Sequence, residues 1–244
     1  MIVCEVGLNH LGNEEYSNKY LEYLSNSKCD AITYQIREPK FYKSDKYKNF
    51  ELSMEHYQKV IDNTDKKVGF AISNPDLLKT FNDMGSNFFK VLSWDLTNYR
   101  YIDRLLNETE KPIHISTGTS SIEDIDKFFN RYGYNKRISL IHTQLTQKPE
   151  DANLKSISFL KNRYSYGIGF GNHSDNLNVI YGAVPFDPQD IWFYVKAANY
   201  NWRFHPDEFW SVILSDVDKV IGNIEAVKSS IGNGMKTSIN AKGY

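Results

Sequence analysis

Two charged residues stand inside apolar runs of this chain, Glu5 within Ile2–Val6 and Lys90 within Phe88–Leu92. A charge carried on an apolar segment needs a partner or a ligand, because an unpaired ion is costly to take out of water. A mutual salt bridge is one reading; a polar ligand between them is the other. More polar side chains fall where other apolar runs end: Asn9 and His10, Thr33 and Gln35, Ser73 and Asn74, Ser93 and Asp95, Ser116 and Thr117, His142 and Thr143, Asn172 and His173, Tyr194 and Lys196. Taken singly, each has an ordinary explanation. A Ser or Thr at the end of a run forms turns and caps, and His142 alone reads as a hydrogen-bonded core histidine. Taken together, eight polar ends on one rim make a ligand site the better explanation.

The elements that must position these residues alternate along the chain. The apolar runs are Ile2–Val6, Ala31–Gln35, Val68–Ser73, Phe88–Leu92, Pro112–Ser116, Ile138–His142, Tyr166–Phe170 and Ile191–Val195. Between and after them lie amphipathic stretches near Asn13–Ser27, Leu52–Asp62, Pro75–Met84, Tyr99–Asn107, Ile122–Tyr132, Leu154–Asn162, Leu177–Val184 and Pro206–Ser230. Such alternation calls for parallel strands joined by crossover helices. Eight units in 244 residues match a single (β/α)8 TIM barrel, an α/β fold of about 250 residues whose functional side chains collect at the carboxyl ends of the strands. An open doubly wound sheet is the competitor, but the first turn, Gly7-Leu8-Asn9-His10-Leu11-Gly12, lacks its G-x-G-x-x-G pattern. Asn74 before Pro75 and Ser121 before Ile122 read as helix caps. Ile36–Phe50 reads as a long second βα loop, and residues 233–244 as a tail on one domain spanning 1–244.

Composition narrows the function classes. The 29 basic residues balance 30 acidic ones without a long basic run, so nothing argues for nucleic acid or an anionic membrane surface. No apolar stretch approaches the 18 or so residues of a membrane span, and the acidic start MIVCEVG does not read as a secretory signal. The two cysteines, Cys4 and Cys29, sit in or beside apolar runs and read as buried free thiols, which suits a cytoplasmic location.

At this point the segments resemble a known family, the N-acetylneuraminate (sialic acid) synthases. Cys4-Glu5-Val6-Gly7-Leu8-Asn9-His10-Leu11-Gly12 is similar to the family's opening A/C-E-I-G-x-N-H-x-G. Asp30–Gln35 resembles D-A-V-K-F-Q, and Lys90–Asn98 resembles K-I-x-S-G-E/D-x-T-N. Lys111–Gly118 resembles K-P-I-I-L-S-T-G, Leu140–Thr143 L-L-H-C-T, Pro149–Leu154 P-x-E-D-V-N-L, and Ile168–His173 I-G-x-S-D-H. Gly182-Ala183-Val184 and Pro206-Asp207-Glu208-Phe209 continue the likeness in register.

The resemblance implies a barrel that condenses phosphoenolpyruvate with an N-acylated amino-sugar aldehyde, releases phosphate, and uses a divalent metal, manganese or magnesium. It implies that Glu5, Gln35 and Asp95 fall on catalytic positions. It implies that Lys90, Ser93 and Ser116 hold phosphate or substrate oxygens, with Asn74, Arg37 and His142 as further binding candidates. His173 takes the place of one of two metal-binding histidines. The departures matter equally. The family's strand-two lysine is Thr33 here, its strand-three threonine is Asn74, and its strand-seven serine is Gly171. Its second metal histidine is Tyr194, and a neutral phenol with a pKa near ~10 is a poor divalent ligand. Arg37, sharing side-chain parity with Thr33 and Gln35, and Lys196 are candidates for the lost cation. No segment resembles the family's C-terminal antifreeze-like domain, which helps close the site across a dimer. The expected partners are therefore a homodimer mate or a separate capping chain. Trp202, Phe204, Phe209 and Trp210 form an aromatic cluster that packs under the barrel or makes an interface.

Three functions stay open on these residues. One is a synthase-like enzyme joining phosphoenolpyruvate or a related keto-acid unit to the sugar, as in nonulosonic acid biosynthesis. The second is a metal-independent aldolase or lyase using Lys90 or Lys196 as a Schiff base. The third is a non-catalytic barrel that binds a sugar or acid and needs a partner.

Overall fold

The computed structural model describes residues 1–197 and 206–236. In chain order it runs β1 (Ile2–Gly7), α1 (Glu14–Ser25), β2 (Ala31–Ile36), α2 (Pro39–Tyr42), α3 (Met54–Asp62), β3 (Lys67–Ile72), α4 (Leu78–Asp83), β4 (Phe88–Val91) and α5 (Tyr99–Glu108). It continues with β5 (Ile113–Ser116), α6 (Ile122–Tyr132), β6 (Ile138–Thr143), α7 (Lys155–Arg163), β7 (Gly167–Gly171), α8 (Asn178–Ala183), β8 (Ile191–Lys196), β9 (Val212–Ile213) and α9 (Val217–Ser230). Each strand from β1 to β8 pairs in parallel with the next, and β8 pairs back with β1, so the sheet closes into a (β/α)8 barrel. The two-residue β9 pairs in parallel with the carboxyl end of β8, at Val195 and Lys196.

The strands alternate between two packing environments, as a two-residue period requires. Cys4, Val6, Ile32, Tyr34, Phe70, Phe89, Val91, Ile115 and Leu140 belong to the main core between sheet and helices. Val3, Ala31, Phe88, Ile141 and Trp192 form a second, smaller cluster inside the barrel. The other inward positions are polar. Ser139, two residues before the plug residue Ile141, lies within 2.7 Å of His114, and toward the carboxyl ends Glu5, Thr33, Lys90, Ser116 and Thr143 are all buried. The helix layer follows from ordinary local chemistry. Asn13 and Ser53 cap α1 and α3, and Ser121 with Asp124 makes a reciprocal capping box at α6.

Two sequence expectations are corrected here. The final amphipathic stretch is not one helix over Pro206–Ser230; Glu208–Trp210 and Leu214–Asp216 are 3-10 turns flanking β9, and α9 begins at Val217. A helix over the whole stretch would take Val212 and Ile213 away from their pairing with Val195 and Lys196. The second βα loop, Ile36–Phe50, carries one short helix, α2. Both cysteines are buried free thiols, as expected. Among the described residues no helix is long and apolar enough to cross a membrane.

Candidate active site

The carboxyl ends of the strands open into a cavity of about 620 Å³. Gln35 and Arg37 from the β2 end, Lys90, Ser93 and Trp94 from β4 and the turn after it, Ser116 from β5, His173 after β7 and Tyr194 from β8 all line it. Phe41 and Tyr47 from the second loop, Leu145–Lys148 from the sixth, and Asp207 and Trp210 complete the wall.

The opening turn sets the floor. Gly7 interrupts the β1–β2 register just after Glu5 and has φ +56°; a Cβ there would stand 2.8 Å from Tyr194 Cε1. Gly12, at φ +69°, lies so close to the second loop that a Cβ would meet the Asn49 carbonyl oxygen at 1.6 Å. Only glycine meets both demands. Asn9 ties the eighth-strand side to this turn: its Nδ2 donates to the Val195 carbonyl at 2.8 Å, and its Oδ1 accepts from the Asp207 backbone N–H at 3.2 Å.

Electrostatics concentrate on one buried pair. Lys90 donates to Glu5 from across the barrel, and both side chains are shut off from solvent. The Lys90 ammonium also stands 5.3 Å and 5.8 Å from the ring centres of Trp192 and Tyr194. Burial, with the Lys90 charge nearby, depresses His173 to a pKa of about 3, so its imidazole is neutral at physiological pH. Burial and the Glu5 carboxylate push Asp207 up to about 7, against the opposing pull of Lys90. Burial, Glu5 and Asp207 hold the Tyr194 phenol well above its ordinary pKa.

The predicted site residues separate into two groups. Gln35, Arg37, Lys90, Ser93, Ser116, His173 and Tyr194 share the cavity, and Glu5 is bonded to it through Lys90. Asn74, Asp95 and His142 are not among the residues that line it. Asn74 is a cap, its side chain accepting from the Asp76 backbone N–H at 3.3 Å. Asp95 accepts from Asn98 Nδ2 at 3.1 Å, and burial raises its pKa. His142 is one residue out of phase with the inward-facing Ile141 and Thr143. It stands near Phe170 of the outer core, and its Nε2–H donates to the Ala152 carbonyl at 2.9 Å. His142 is thus a buried, hydrogen-bonded histidine that does not line this cavity.

The proposed replacement cations are also engaged. Arg37 makes two hydrogen bonds to Glu38, at 3.0 and 3.2 Å, and lies 4.4 Å over Phe41 and 5.2 Å over Trp94. It still faces the cavity. Lys196 donates to the Glu208 carbonyl at 2.8 Å and does not line the cavity. Of the aromatic cluster, Trp202 and Phe204 lie outside the described residues. Phe209 is 66 % exposed, whereas Trp210 faces the cavity with its ring centre 5.3 Å from that of His173.

Sequence reasoning missed Asp207, Trp210, Trp94, Phe41, Tyr47 and the Leu145–Lys148 wall. Asp207 had a signal, in Pro206-Asp207-Glu208-Phe209, but reading that stretch as the start of a helix hid its place beside the strand ends. The aromatic residues come from loops, where no periodicity marks which face is inward.

A divalent metal can be tested against the donors present. Among the described residues no three His, Cys, Asp or Glu side chains gather as a metal-holding group. His173 has as ring neighbours Tyr194 at 5.6 Å and Trp210 at 5.3 Å, and Glu5 is committed to Lys90. One imidazole, an un-ionised phenol, an ammonium and a single carboxylate, Asp207, whose pKa burial pushes up to about 7, do not make a ligand set for a divalent cation.

Comparison with known proteins places these features in context. A family model described as the NeuB family matches residues 18–236. An uncharacterised protein of Methanocaldococcus jannaschii is 28 % identical over 96 % of this chain and 73 % of its own length. The N,N'-diacetyllegionaminic acid synthase of Campylobacter jejuni is 24 % identical over 97 % of this chain and 78 % of its own. Among solved structures, the N-acetylneuraminic acid (sialic acid) synthetase of Leptospira borgpetersenii, in complex with citrate, superposes with a TM-score of 0.86. It shares 20 % identity over 98 % of this chain and 87 % of that one, a likeness of fold.

Proposed function

The chain belongs to the NeuB family, and on that footing we propose that it joins phosphoenolpyruvate, or a related keto-acid unit, to an amino-sugar aldehyde, as in nonulosonic acid biosynthesis. The methylene carbon of phosphoenolpyruvate supplies the electron pair of the new C–C bond. The aldehyde oxygen takes up a proton and becomes a hydroxyl, water enters at the former enol carbon, and inorganic phosphate leaves.

The observation that carries this reading is the meeting of one buried ammonium, Lys90, with the hydroxyls of Ser93 and Ser116 in a single strand-end cavity. An anionic donor needs such groups: a fixed cation for charge, and hydroxyls that donate to its oxygens. Ser93 is held in place, its carbonyl accepting from Thr119 Oγ1 at 2.7 Å. Gln35 and Arg37 offer further donors on the same wall, and the neutral His173 and Tyr194 face them. Rate enhancement then comes from positioning and from donors fixed before the charge develops.

The Schiff-base reading loses support from the same pair. Attack on a keto acid needs a free amine, whereas Lys90 is committed as an ammonium to Glu5 and Lys196 to a backbone carbonyl.

The test is incubation of the whole chain with phosphoenolpyruvate and a panel of N-acyl mannosamine-type sugars, read by phosphate release and by product mass. Equal amounts of phosphate and of a product formed from both substrates are expected, and both signals vanish in Lys90→Ala. Thermal stabilisation by a sugar without turnover would instead identify a binding barrel.

A further inference from the structure

We propose that this cavity polarises its acceptor's carbonyl without a divalent cation, the Tyr194 hydroxyl donating the hydrogen bond that takes the metal's place; this rests on the synthase reading above. Three observations carry it. The donor set is the first. His173 is flanked by two aromatic rings; Asp207 is the other potential ligand on the wall, and among the described residues no three His, Cys, Asp or Glu side chains gather into a metal-holding group. Charge is the second. A cation seated between His173 and Tyr194 would share the cavity with the Lys90 ammonium, which lies 5.8 Å from the Tyr194 ring centre. Glu5, the carboxylate that could otherwise attract a cation there, is already used to balance that ammonium.

The third observation concerns Tyr194 itself. The residue is 5 % exposed and lines the cavity. A ligand oxygen entering that cavity could accept a hydrogen bond from its hydroxyl. The ring is also held in position. Its Cε1 occupies the space that a Cβ on Gly7 would need, 2.8 Å away, so the backbone turn after Glu5 is shaped around the phenol. A fixed, neutral donor beside a fixed ammonium can stabilise negative charge growing on a carbonyl oxygen. It needs no proton to leave the phenol and no reorganisation at the moment of reaction.

The test uses manganese alone as probe, followed by turnover. Titration of Mn²⁺ into the whole chain, read by the electron paramagnetic resonance signal of the free ion, is expected to show no stoichiometric loss of signal. Stoichiometric binding that disappears in His173→Ala would overturn metal independence, whether or not the chain is a synthase. In turnover, activity is expected to be the same with EDTA as with added Mn²⁺. Tyr194→Phe is expected to lower kcat about 100-fold with little change in KM for phosphoenolpyruvate, the loss typical of one removed oxyanion donor. Activity abolished by EDTA and restored by Mn²⁺ would overturn the proposal, as would full activity in Tyr194→Phe. Absence of product in both buffers would overturn the synthase reading and Tyr194's role with it; the resonance titration tells that failure apart from a metal site that does exist.

Discussion

Glu5 on β1 and Lys90 on β4 reach across the barrel to form an ion pair with side-chain exposures of 6 % and 5 %. Removing one partner leaves the other charge unpaired at a nearly buried position. Breaking such a pair typically costs about 3–5 kcal/mol. Lys90→Ala and Glu5→Ala should each lower the unfolding free energy, read from urea titration, by that order. The double variant Glu5→Leu/Lys90→Met, which replaces the pair by apolar volume, should recover most of the loss. It should not recover thermal stabilisation by phosphoenolpyruvate. Recovery of both would mean that the pair is structural only.

Asp207 predicts a pH dependence with a definite sign. Its folded pKa of about 7 stands above the unfolded carboxylate value. Between roughly pH 4 and pH 7 the folded state therefore holds a proton that the unfolded state has released, and stability falls as pH rises through this window. Asp207→Asn removes the effect. The stability difference between Asp207→Asn and the parent should grow from about pH 4 to about pH 7 and then level off, on the order of 4 kcal/mol. His173 works the other way: with a folded pKa of about 3, it loses stability as pH falls below its unfolded value. In Asp207→Asn that acid loss is no longer offset, so the variant should destabilise more steeply on acidification than the parent. A difference curve flat across pH 4–7 would refute the assignment.

The barrel was legible in the sequence because strands and helices announce themselves by period, and all eight strands fall within a residue or two of their expected runs. Polar residue type within or at the end of a strand marked Gln35, Lys90, Ser116 and Tyr194, and the structure brings them to one cavity. Side-chain parity held the contrary signal for His142, which sits between the inward Ile141 and Thr143. The motif likeness outweighed it. Loops carry no such period. Trp94, Phe41 and Asp207 reach the cavity through turns whose direction depends on close contacts, such as Gly12 against Asn49, that are set only once distant segments meet.

That contact gives its own prediction. Gly12→Ala would put a methyl carbon against the Asn49 carbonyl oxygen, at a φ of +69° that alanine resists. The left-handed backbone alone costs about 1–2 kcal/mol, and the clash adds to it by pushing the second loop away. Thermal denaturation should show a loss at or above that size. Because Phe41 and Tyr47 belong to the same loop, phosphoenolpyruvate should also stabilise the variant less than it stabilises the parent. Gly133→Ala, also at positive φ but with nothing within 4 Å of the added carbon, should cost only the backbone term and leave ligand binding unchanged.

Arg37 provides the last prediction, because it lines the cavity just past the end of the strand that carries Thr33 and Gln35. Its guanidinium lies over Phe41 and Trp94 and is oriented by two bonds to Glu38, so it is presented to the cavity as a rigid plane. Glu38 neutralises part of its charge, which makes geometry rather than net charge its main contribution. Arg37→Lys keeps the charge and loses both the stack and the fork. If Arg37 grips the donor's carboxylate or phosphate, Arg37→Lys and Arg37→Ala should raise KM for phosphoenolpyruvate alike, by about tenfold, equivalent to about 1.4 kcal/mol. If only the charge matters, Arg37→Lys should bind as the parent does. Glu38→Gln separates the two further. It removes the competing carboxylate while leaving the aromatic stack, so it should tighten binding if charge dominates and weaken it if orientation does.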